Sequence, residues 1–231
     1  MYFYELKIDL SLKNKIHFQS SPEAIGKLIA TALINSGYES HSENKVKNYV
    51  FSNLEKRANN GWYEGDNFFR FRSFDKELVL KLSNSLLMYE DNIFKINSLS
   101  SKVIYQKPIK LLESSNPVFV KVSPKLFWTF EKDGDIMKYI KLLHQNALRK
   151  SKLIEPVETD ENFIEYMEFL SRKPFTFKYK NSKFFGFKLK IYPKDDEISQ
   201  KLAFIVAGMG VGEKNSAVGG GFCKVAFRRE E

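Results

Sequence analysis

The sequence is poor in the residues that build disulfides and metal centres. Its 231 residues contain one cysteine, Cys223, and three histidines. One cysteine excludes an intramolecular disulfide and a multi-cysteine zinc site, and its apolar setting, GFCKVAF, favours strand packing over a nucleophile. The histidines are far apart in the sequence, which disfavours a zinc or two-metal nuclease site, although scattered carboxylates leave Mg²⁺ open.

Long apolar runs are also missing. No stretch of about 18 apolar residues predicts a membrane span. No basic segment followed by an apolar one predicts a signal peptide at the beginning of the sequence. We therefore expect a cytoplasmic protein with no membrane partner.

Positive charge and aromatic side chains are in excess. The net charge is +9, aromatic residues make up 15% of the chain, and 21 residues are phenylalanine. Because Lys and Arg neutralise phosphates and rings stack on unpaired bases, one interpretation is a nucleic-acid partner. The other is a solvated lysine-rich surface over a phenylalanine-rich core, and composition alone favours it.

The order of predicted elements indicates an α+β protein. The first half reads β-α-β-β-α-β, and its first helix begins with a serine cap, Pro22 and Glu23 and ends at Gly37. The second half repeats this order less regularly, which predicts two tandem ferredoxin-like (RRM-like) domains. The small polar residues and proline of LESSNP mark the boundary, giving domains at 1–113 and 118–231.

Half of the 12 glycines lie in one stretch, GMGVGEKNSAVGGGF. It does not fit a P-loop, because Glu213 separates Gly212 from Lys214. It does not fit the dinucleotide fingerprint either, because the third glycine would fall at Asn215 and the loop follows a helix instead of opening one. Two interpretations remain: a loop whose amides and Lys214 contact the phosphates of a polyanion, or a long turn before an edge strand.

Two segments resemble a known family. Gly210-Val-Gly212, the spacer EKNSAV and Gly219-Gly-Gly221-Phe222 resemble the glycine-rich loop of the RAMP superfamily of CRISPR systems, with a slightly longer spacer and a glycine at its usual bulky position. The segment HSENKVKNYVFSNL, which begins at His41, resembles one in the CRISPR repeat-processing endoribonucleases. That family has tandem ferredoxin-like domains, so the resemblance covers essentially the whole chain. It implies an enzyme that cleaves precursor CRISPR RNA within its repeats.

The resemblance also implies metal-independent chemistry, without a cofactor, at His41 and Lys47. Such cleavage deprotonates a ribose 2′-OH, stabilises the charge of a phosphorane and protonates the 5′-oxygen, leaving a 2′,3′-cyclic phosphate and a 5′-hydroxyl. Histidine suits either proton transfer and lysine suits the charge. Tyr38 is the nearest candidate for the tyrosine that the family often adds. The alternative is a RAMP-superfamily scaffold subunit that holds guide RNA and cuts nothing.

Basic residues around these motifs predict the RNA-binding surface. Arg70 and Arg72 alternate with phenylalanines on one predicted strand, which places both on one face, with solvated arginines as the alternative. The predicted RNA contacts are Lys45, Arg70, Arg72, Gly210, Gly212, Lys214, Gly219, Gly221, Lys224, Arg228 and Arg229. The resemblance implies repeat RNA as the partner and a CRISPR effector complex as a second one, with the chain a monomer or a homodimer.

Overall fold

The computed structural model describes residues 1–38, 46–56, 59–124, 126–179 and 182–228. The strands are Tyr2–His17 (β1), Tyr49–Phe51 (β2), Trp62–Ser73 (β3), Phe94–Tyr105 (β4), Ile109–Ser114 (β5), Lys121–Ser123 (β6), Leu126–Phe127 (β7), Ile164–Phe169 (β8), Phe175–Tyr179 (β9), Ser182–Gly186 (β10), Leu189–Pro193 (β11) and Cys223–Phe227 (β12). The helices are Ser21–Asn35 (α1), Lys76–Leu86 (α2), Ile136–Ser151 (α3), Glu197–Met209 (α4) and Asn215–Val218 (α5).

The first half folds as one ferredoxin-like unit. Its antiparallel strands lie in the order β2-β3-β1-β4. Alternate β1 residues, Leu6, Ile8 and Leu10, are buried in one cluster with apolar residues of α1 and α2, as the two-residue period of a half-buried strand requires. Asp75 caps α2 by accepting a hydrogen bond from the backbone amide of Leu78 (3.0 Å).

The second half repeats the topology. Its antiparallel strands lie in the order β12-β5-β11-β8, and α3 and α4 supply the helices of the β-α-β-β-α-β order. The prediction of an α+β protein with two tandem ferredoxin-like domains is confirmed. Two additions, the β6–β7 and β9–β10 hairpins, bury Phe119, Phe127, Phe177 and Phe184 in a separate cluster.

The sheets divide the chain slightly earlier than the predicted boundary. Strand β5 covers residues 109–114 and pairs with β11 and β12, although the sequence-based division at 113 and 118 assigned most of it to the first domain. The second sheet therefore begins directly after Pro108. The polar segment LESSNP therefore begins inside the second sheet.

Helix α4 packs between the two halves. It contacts β2 and β3 of the first sheet and β5, β11 and β12 of the second. Most of its residues are buried, which matches its apolar sequence, since a helix that is apolar all round must be covered all round. Near its end, Gly208 lies against the rings of Phe3 and Phe74. The two domains therefore share one packed core at this helix.

The structure also bears on the cysteine and on the length of the helices. Cys223 is buried in β12, and burial raises the pKa of its thiol to about 12, so this cysteine packs as the sequence predicts. Within the described ranges, no helix has the length and apolar character to cross a bilayer.

Candidate nucleic-acid interface

The glycine-rich stretch forms a buried loop between α4 and β12. Gly210, Gly212, Gly219 and Gly221 have φ angles of 84°, 67°, 63° and 64°, a region that residues with a Cβ adopt only at a cost. All four are buried, and a Cβ at Gly212 would lie 2.6 Å from the carbonyl oxygen of Phe119. Close backbone packing inside the protein therefore requires these glycines.

This packing changes the prediction for the loop. Gly219 lies against the carbonyl group of Phe51 in β2, and Gly221 lies against the backbone of Val211. The residues of the loop that reach the surface are Glu213, Lys214, Ser216 and Ala217. The burial of the glycines conflicts with the prediction that they contact RNA themselves, whereas the predicted contact at Lys214 stays a prediction.

Two asparagine side chains hold the loop in place. Asn215 Nδ2 donates to the carbonyl of Gly220 (2.7 Å), and Asn116 Nδ2 donates to the carbonyl of Gly219 (2.7 Å). Asn116 Oδ1 also accepts from the backbone amide of Asn53, just after β2 (3.0 Å). Asn116 is 1% exposed, so this residue of the predicted linker is an internal tie between the loop and the first domain.

A buried lysine holds the other side of the loop. Lys150, in the last turn of α3, donates from its Nζ to the carbonyls of Gly210 and Gly212, the latter at 2.6 Å. It is 2% exposed, and burial lowers its pKa to about 7, although the Glu213 carboxylate opposes that change. The sequence does not reveal Lys150, because it lies in a basic helix end, RKSK, that resembles a solvated surface.

Lys214 faces a basic part of the surface. It is one of the non-glycine residues with positive φ, at 63°, and its Nζ lies 4.8 Å from the centre of the Phe184 ring. Burial lowers the pKa of Lys214, the neighbouring Lys121 ammonium lowers it further, and Glu213 opposes both. Lys121 and Lys214 therefore form a pair of cations beside the loop.

The histidine segment meets the glycine-rich loop. His41 and Lys45 lie outside the described residues, while Lys47 is described and half-buried. Two residues later, the Tyr49 side chain forms a hydrogen bond with Ser216 of the loop, and burial raises its pKa. The two motifs that carry the resemblance therefore lie next to each other, although more than 150 residues separate them in the sequence.

The first helix also contacts the loop. A Cβ at Gly26, in the middle of α1, would strike the carbonyl oxygen of Ala217 in α5. Tyr38, just beyond α1, donates its hydroxyl hydrogen bond to Asp75 Oδ2 (2.8 Å). Tyr38, before segment 39–45, is thus bound to the cap of α2, and Tyr49, after that segment, contacts the loop.

Arg72 has a different role from the predicted one. It is 7% exposed, and its guanidinium bonds Glu5 Oε2 (2.7 Å) and the carbonyls of Ala207 (3.0 Å) and Cys223 (2.8 Å). Burial alone would raise the pKa of Glu5, but Arg72 and Lys102 outweigh it and lower the pKa. The prediction of Arg72 as an RNA contact is wrong, because its donors join the first sheet to the second domain.

Arg70 keeps part of its side chain at the surface. The side chain is 29% exposed, pairs with Glu55, lies 3.6 Å from Glu5, and has its Cζ 5.1 Å from the centre of the Phe68 ring. The predicted alternation is present, since Phe69 and Phe71 are fully buried on the opposite face. Arg70 is available to RNA only in competition with Glu55.

Two of the remaining predicted contacts, Lys224 and Arg228, lie in β12 or directly after it. Lys224 is exposed and lines a cleft of about 320 Å³ between the two domains. Arg228 is paired through its guanidinium with Asp195, with one bond of 2.9 Å. Arg229 lies outside the described residues. Lys224 therefore faces the space between the domains, whereas Arg228 is bound to a carboxylate at the end of the strand.

Among the residues that the structure describes, there is no group of three or more His, Cys, Asp or Glu side chains that could hold a metal ion. The junction of the two motifs carries cations: Lys47 lies two residues before Tyr49, and Lys121 lies close enough to Lys214 to lower its pKa. These groups can bind phosphates and stabilise added negative charge on one of them.

The protein thus belongs to the class that has two ferredoxin-like domains and a glycine-rich loop packed where the domains meet. Solved structures with that fold include a CRISPR-associated protein Cas6, which is 20% identical and superposes with a TM-score of 0.72 over 98% of this chain and 100% of the other. A RAMP protein binding different RNA substrates is 16% identical (TM-score 0.75, 96% and 99% covered). The product of a Cas6-related gene from Pyrococcus furiosus is also 16% identical (TM-score 0.75, 98% and 100% covered).

These likenesses extend over nearly the whole of each chain. No protein-family model and no curated protein matches the sequence. At such low identity the comparisons establish the fold, so the predicted resemblance to CRISPR repeat-processing endoribonucleases of the RAMP type is confirmed at the level of architecture.

Proposed function

We propose that this chain is a CRISPR repeat-processing endoribonuclease that cleaves precursor CRISPR RNA within its repeats. The observation that carries the proposal is the contact between the two motifs through Tyr49 and Ser216. That contact brings the strand that follows Lys47 against the loop that carries Lys214, so a predicted catalytic residue and a predicted RNA contact lie on neighbouring segments. The fold shared with Cas6 structures, including one solved as a product complex, supports the same function.

The reaction proposed is attack of a ribose 2′-OH on the adjacent phosphorus. The 2′-oxygen forms a bond to phosphorus, the bond to the 5′-oxygen breaks, and the products are a 2′,3′-cyclic phosphate and a 5′-hydroxyl. His41 transfers one of the two protons, because imidazole titrates near working pH. Lys47 stabilises the charge of the phosphorane as a point cation. Tyr38 is a third candidate, and its hydroxyl must leave Asp75 to take part.

The test is cleavage of the chain's own repeat RNA in excess EDTA. Wild type should cut, and His41→Ala and Lys47→Ala should bind the RNA with little change but lose cleavage by about 100-fold or more. Lys95→Ala removes an exposed lysine of β4 and is the matched control for charge. Undiminished cleavage by His41→Ala would remove the catalytic assignment.

The second candidate is a scaffold subunit that holds guide RNA. The RAMP structure, described as binding different RNA substrates, has a TM-score of 0.75, the same as the Cas6-related structure, so the fold fits this function equally well. Tight repeat binding without cleavage by clean wild-type protein would favour it. An effector complex as partner, and a monomer or homodimer as the assembly, remain predictions for either function.

A further inference from the structure

A cavity lies between the β9–β10 hairpin and the turn that follows β7. Its volume is about 250 Å³, just under the roughly 300–1,000 Å³ of ordinary small-ligand sites, so it has room for one small ring system. The lining includes Phe130, Glu131 and Lys132 of the turn, Phe185 and Lys183 of β10, and Arg172. None of the residues that line it belongs to the glycine-rich loop or to the segment that begins at His41, so the cavity is separate from the junction of those motifs.

Phe185 is an aromatic ring that the fold leaves partly uncovered at this cavity. Its neighbour Phe184 is 5% exposed and packs on Phe119 and Tyr179, with ring centres 5.9 Å and 5.5 Å away. Because successive side chains of a strand point to opposite faces, Phe185 lies on the other face of β10. It is half-buried and, within the described ranges, forms no pair with a second ring. A planar ligand can therefore stack on Phe185.

Three cations stand around the same cavity. The side chains of Lys132, Arg172 and Lys183 are exposed, and none of them forms an ion pair with another residue that the structure describes. Glu131 is the carboxylate of the lining, so three cations less one anion give the lining a net charge of +2. Such charges repel one another, and a phosphate, with up to two negative charges, would neutralise them.

The ring and the cations together fit a ligand that has a flat heterocycle and a phosphate. The guanidinium of Arg172 can bind a phosphate through two parallel hydrogen bonds, and the Lys183 ammonium acts as a point charge beside it. The Glu131 carboxylate can accept a hydrogen bond from a ribose hydroxyl or from the amino group of a base. A nucleotide carries all of these groups.

We propose that this cavity binds one nucleotide, with its base stacked on Phe185 and its phosphate on Arg172, Lys183 and Lys132. The inference goes beyond the proposed endoribonuclease, because no residue of the cavity takes part in the proposed cleavage. The nucleotide is either free or an unpaired residue of an RNA, and both sources present the same base and phosphate.

Isothermal titration calorimetry of the whole chain with AMP, adenosine and inorganic phosphate in EDTA tests the site. AMP should bind more tightly than adenosine or phosphate, since it alone has both parts. Phe185→Leu should weaken AMP and adenosine by at least about fivefold. Arg172→Ala and Lys183→Ala should weaken AMP by at least about threefold and leave adenosine unchanged. Tyr105→Leu and Lys95→Ala, which remove an exposed ring and an exposed lysine of β4, are the matched controls and should change nothing.

A second substitution at the ring guards against a folding defect. Phe185→Tyr keeps the ring, so it should bind AMP as wild type does, and all variants should keep the thermal midpoint of wild type. Phosphate binding as tight as AMP binding, with Phe185→Leu equal to wild type, would reveal an anion site without a base and overturn the proposal. AMP affinities of the three cavity variants equal to those of the controls would overturn it as well.

A 5′-fluorescein-labelled octaadenylate, measured by fluorescence anisotropy, separates the two sources of the nucleotide. Octamer binding that weakens in Phe185→Leu, Arg172→Ala and Lys183→Ala assigns the cavity to an RNA residue, and AMP binding that weakens alone assigns it to a free nucleotide. Either result supports the site, whereas a wild-type chain that binds neither AMP nor the octamer contradicts it. His41→Ala should bind AMP as wild type does, so failure of repeat cleavage would count against the endoribonuclease and leave the nucleotide site in place.

Discussion

Replacing Arg72 by methionine should destabilise the fold through the bonds it makes across the domains. The substitution leaves Glu5, 4% exposed, without its main partner. Removing one partner of a buried ion pair costs about 3–5 kcal/mol. The lower end applies, because Lys102 Nζ remains 3.1 Å from Glu5.

Two backbone groups add to this loss. The carbonyls of Ala207 and Cys223 lose their Arg72 donor, and each unmet carbonyl costs about 1 kcal/mol. We therefore expect Arg72→Met to lose about 4–5 kcal/mol. The double variant Glu5→Gln/Arg72→Met no longer buries a lone charge, so it should lose about 2 kcal/mol less than the sum of the single variants.

Urea unfolding followed by tryptophan fluorescence measures these values. Trp62 lies in β3 and Trp128 in the core of the second domain, so Trp→Phe backgrounds report each domain separately. In wild type the unfolding transitions of the two domains should coincide, because the bonds of Arg72 couple the domains. In Arg72→Met, which lacks these bonds, the two transitions should separate. A loss under about 1 kcal/mol, together with weakened RNA binding, would refute this reasoning and restore Arg72 as an RNA contact.

Three further predictions concern the loop and the segment before it. Burial lowers the pKa of Lys150 to about 7, so above that pH the unfolded state binds more protons than the folded state. The free energy of unfolding, compared with that of Lys150→Met, should therefore rise by about 2 kcal/mol between pH 7 and pH 9. The prediction would be contradicted if urea unfolding gave the same change in free energy between pH 7 and pH 9 for wild type and for Lys150→Met. Gly219→Ala places a Cβ against the Phe51 carbonyl at φ 63°, so its thermal midpoint should fall by several degrees, while Gly37→Ala, at φ 68° in open space, should cost less. Tyr38→Phe breaks the bond to Asp75 and should cost about 1 kcal/mol, and single-turnover cleavage would show whether the hydroxyl also contributes to the reaction.

The sequence predicted the order of elements because each signal was local. Pro22 and Glu23 open α1 and Gly37 follows its end, as expected, although the Ser20 side chain makes no cap bond. The two-residue period of β1 and β3 correctly placed Phe69 and Phe71 in the core. Such patterns depend on neighbouring residues and need no knowledge of the second domain.

The residues that were missed or misassigned depend on contacts across the domains. Period alone places Arg72 on the open face of the first sheet, and only the packing of α4 and β12 against that face makes it buried. Lys150 and Asn116 lie in a basic helix end and a polar linker, where a solvated role is the ordinary expectation. Their carbonyl partners, Gly210, Gly212 and Gly219, are distant in the sequence.

Gly26 shows that the two halves of the chain are not interchangeable modules. A glycine in the middle of a helix costs about 1 kcal/mol against alanine, and α1 accepts that cost because α5 of the other domain occupies the space of a Cβ. A chimera that joined this first domain to the second domain of a relative would keep the cost of Gly26 without the contact that compensates it. Such hybrids should recover stability only when Ala217 and its loop are transferred together with α1.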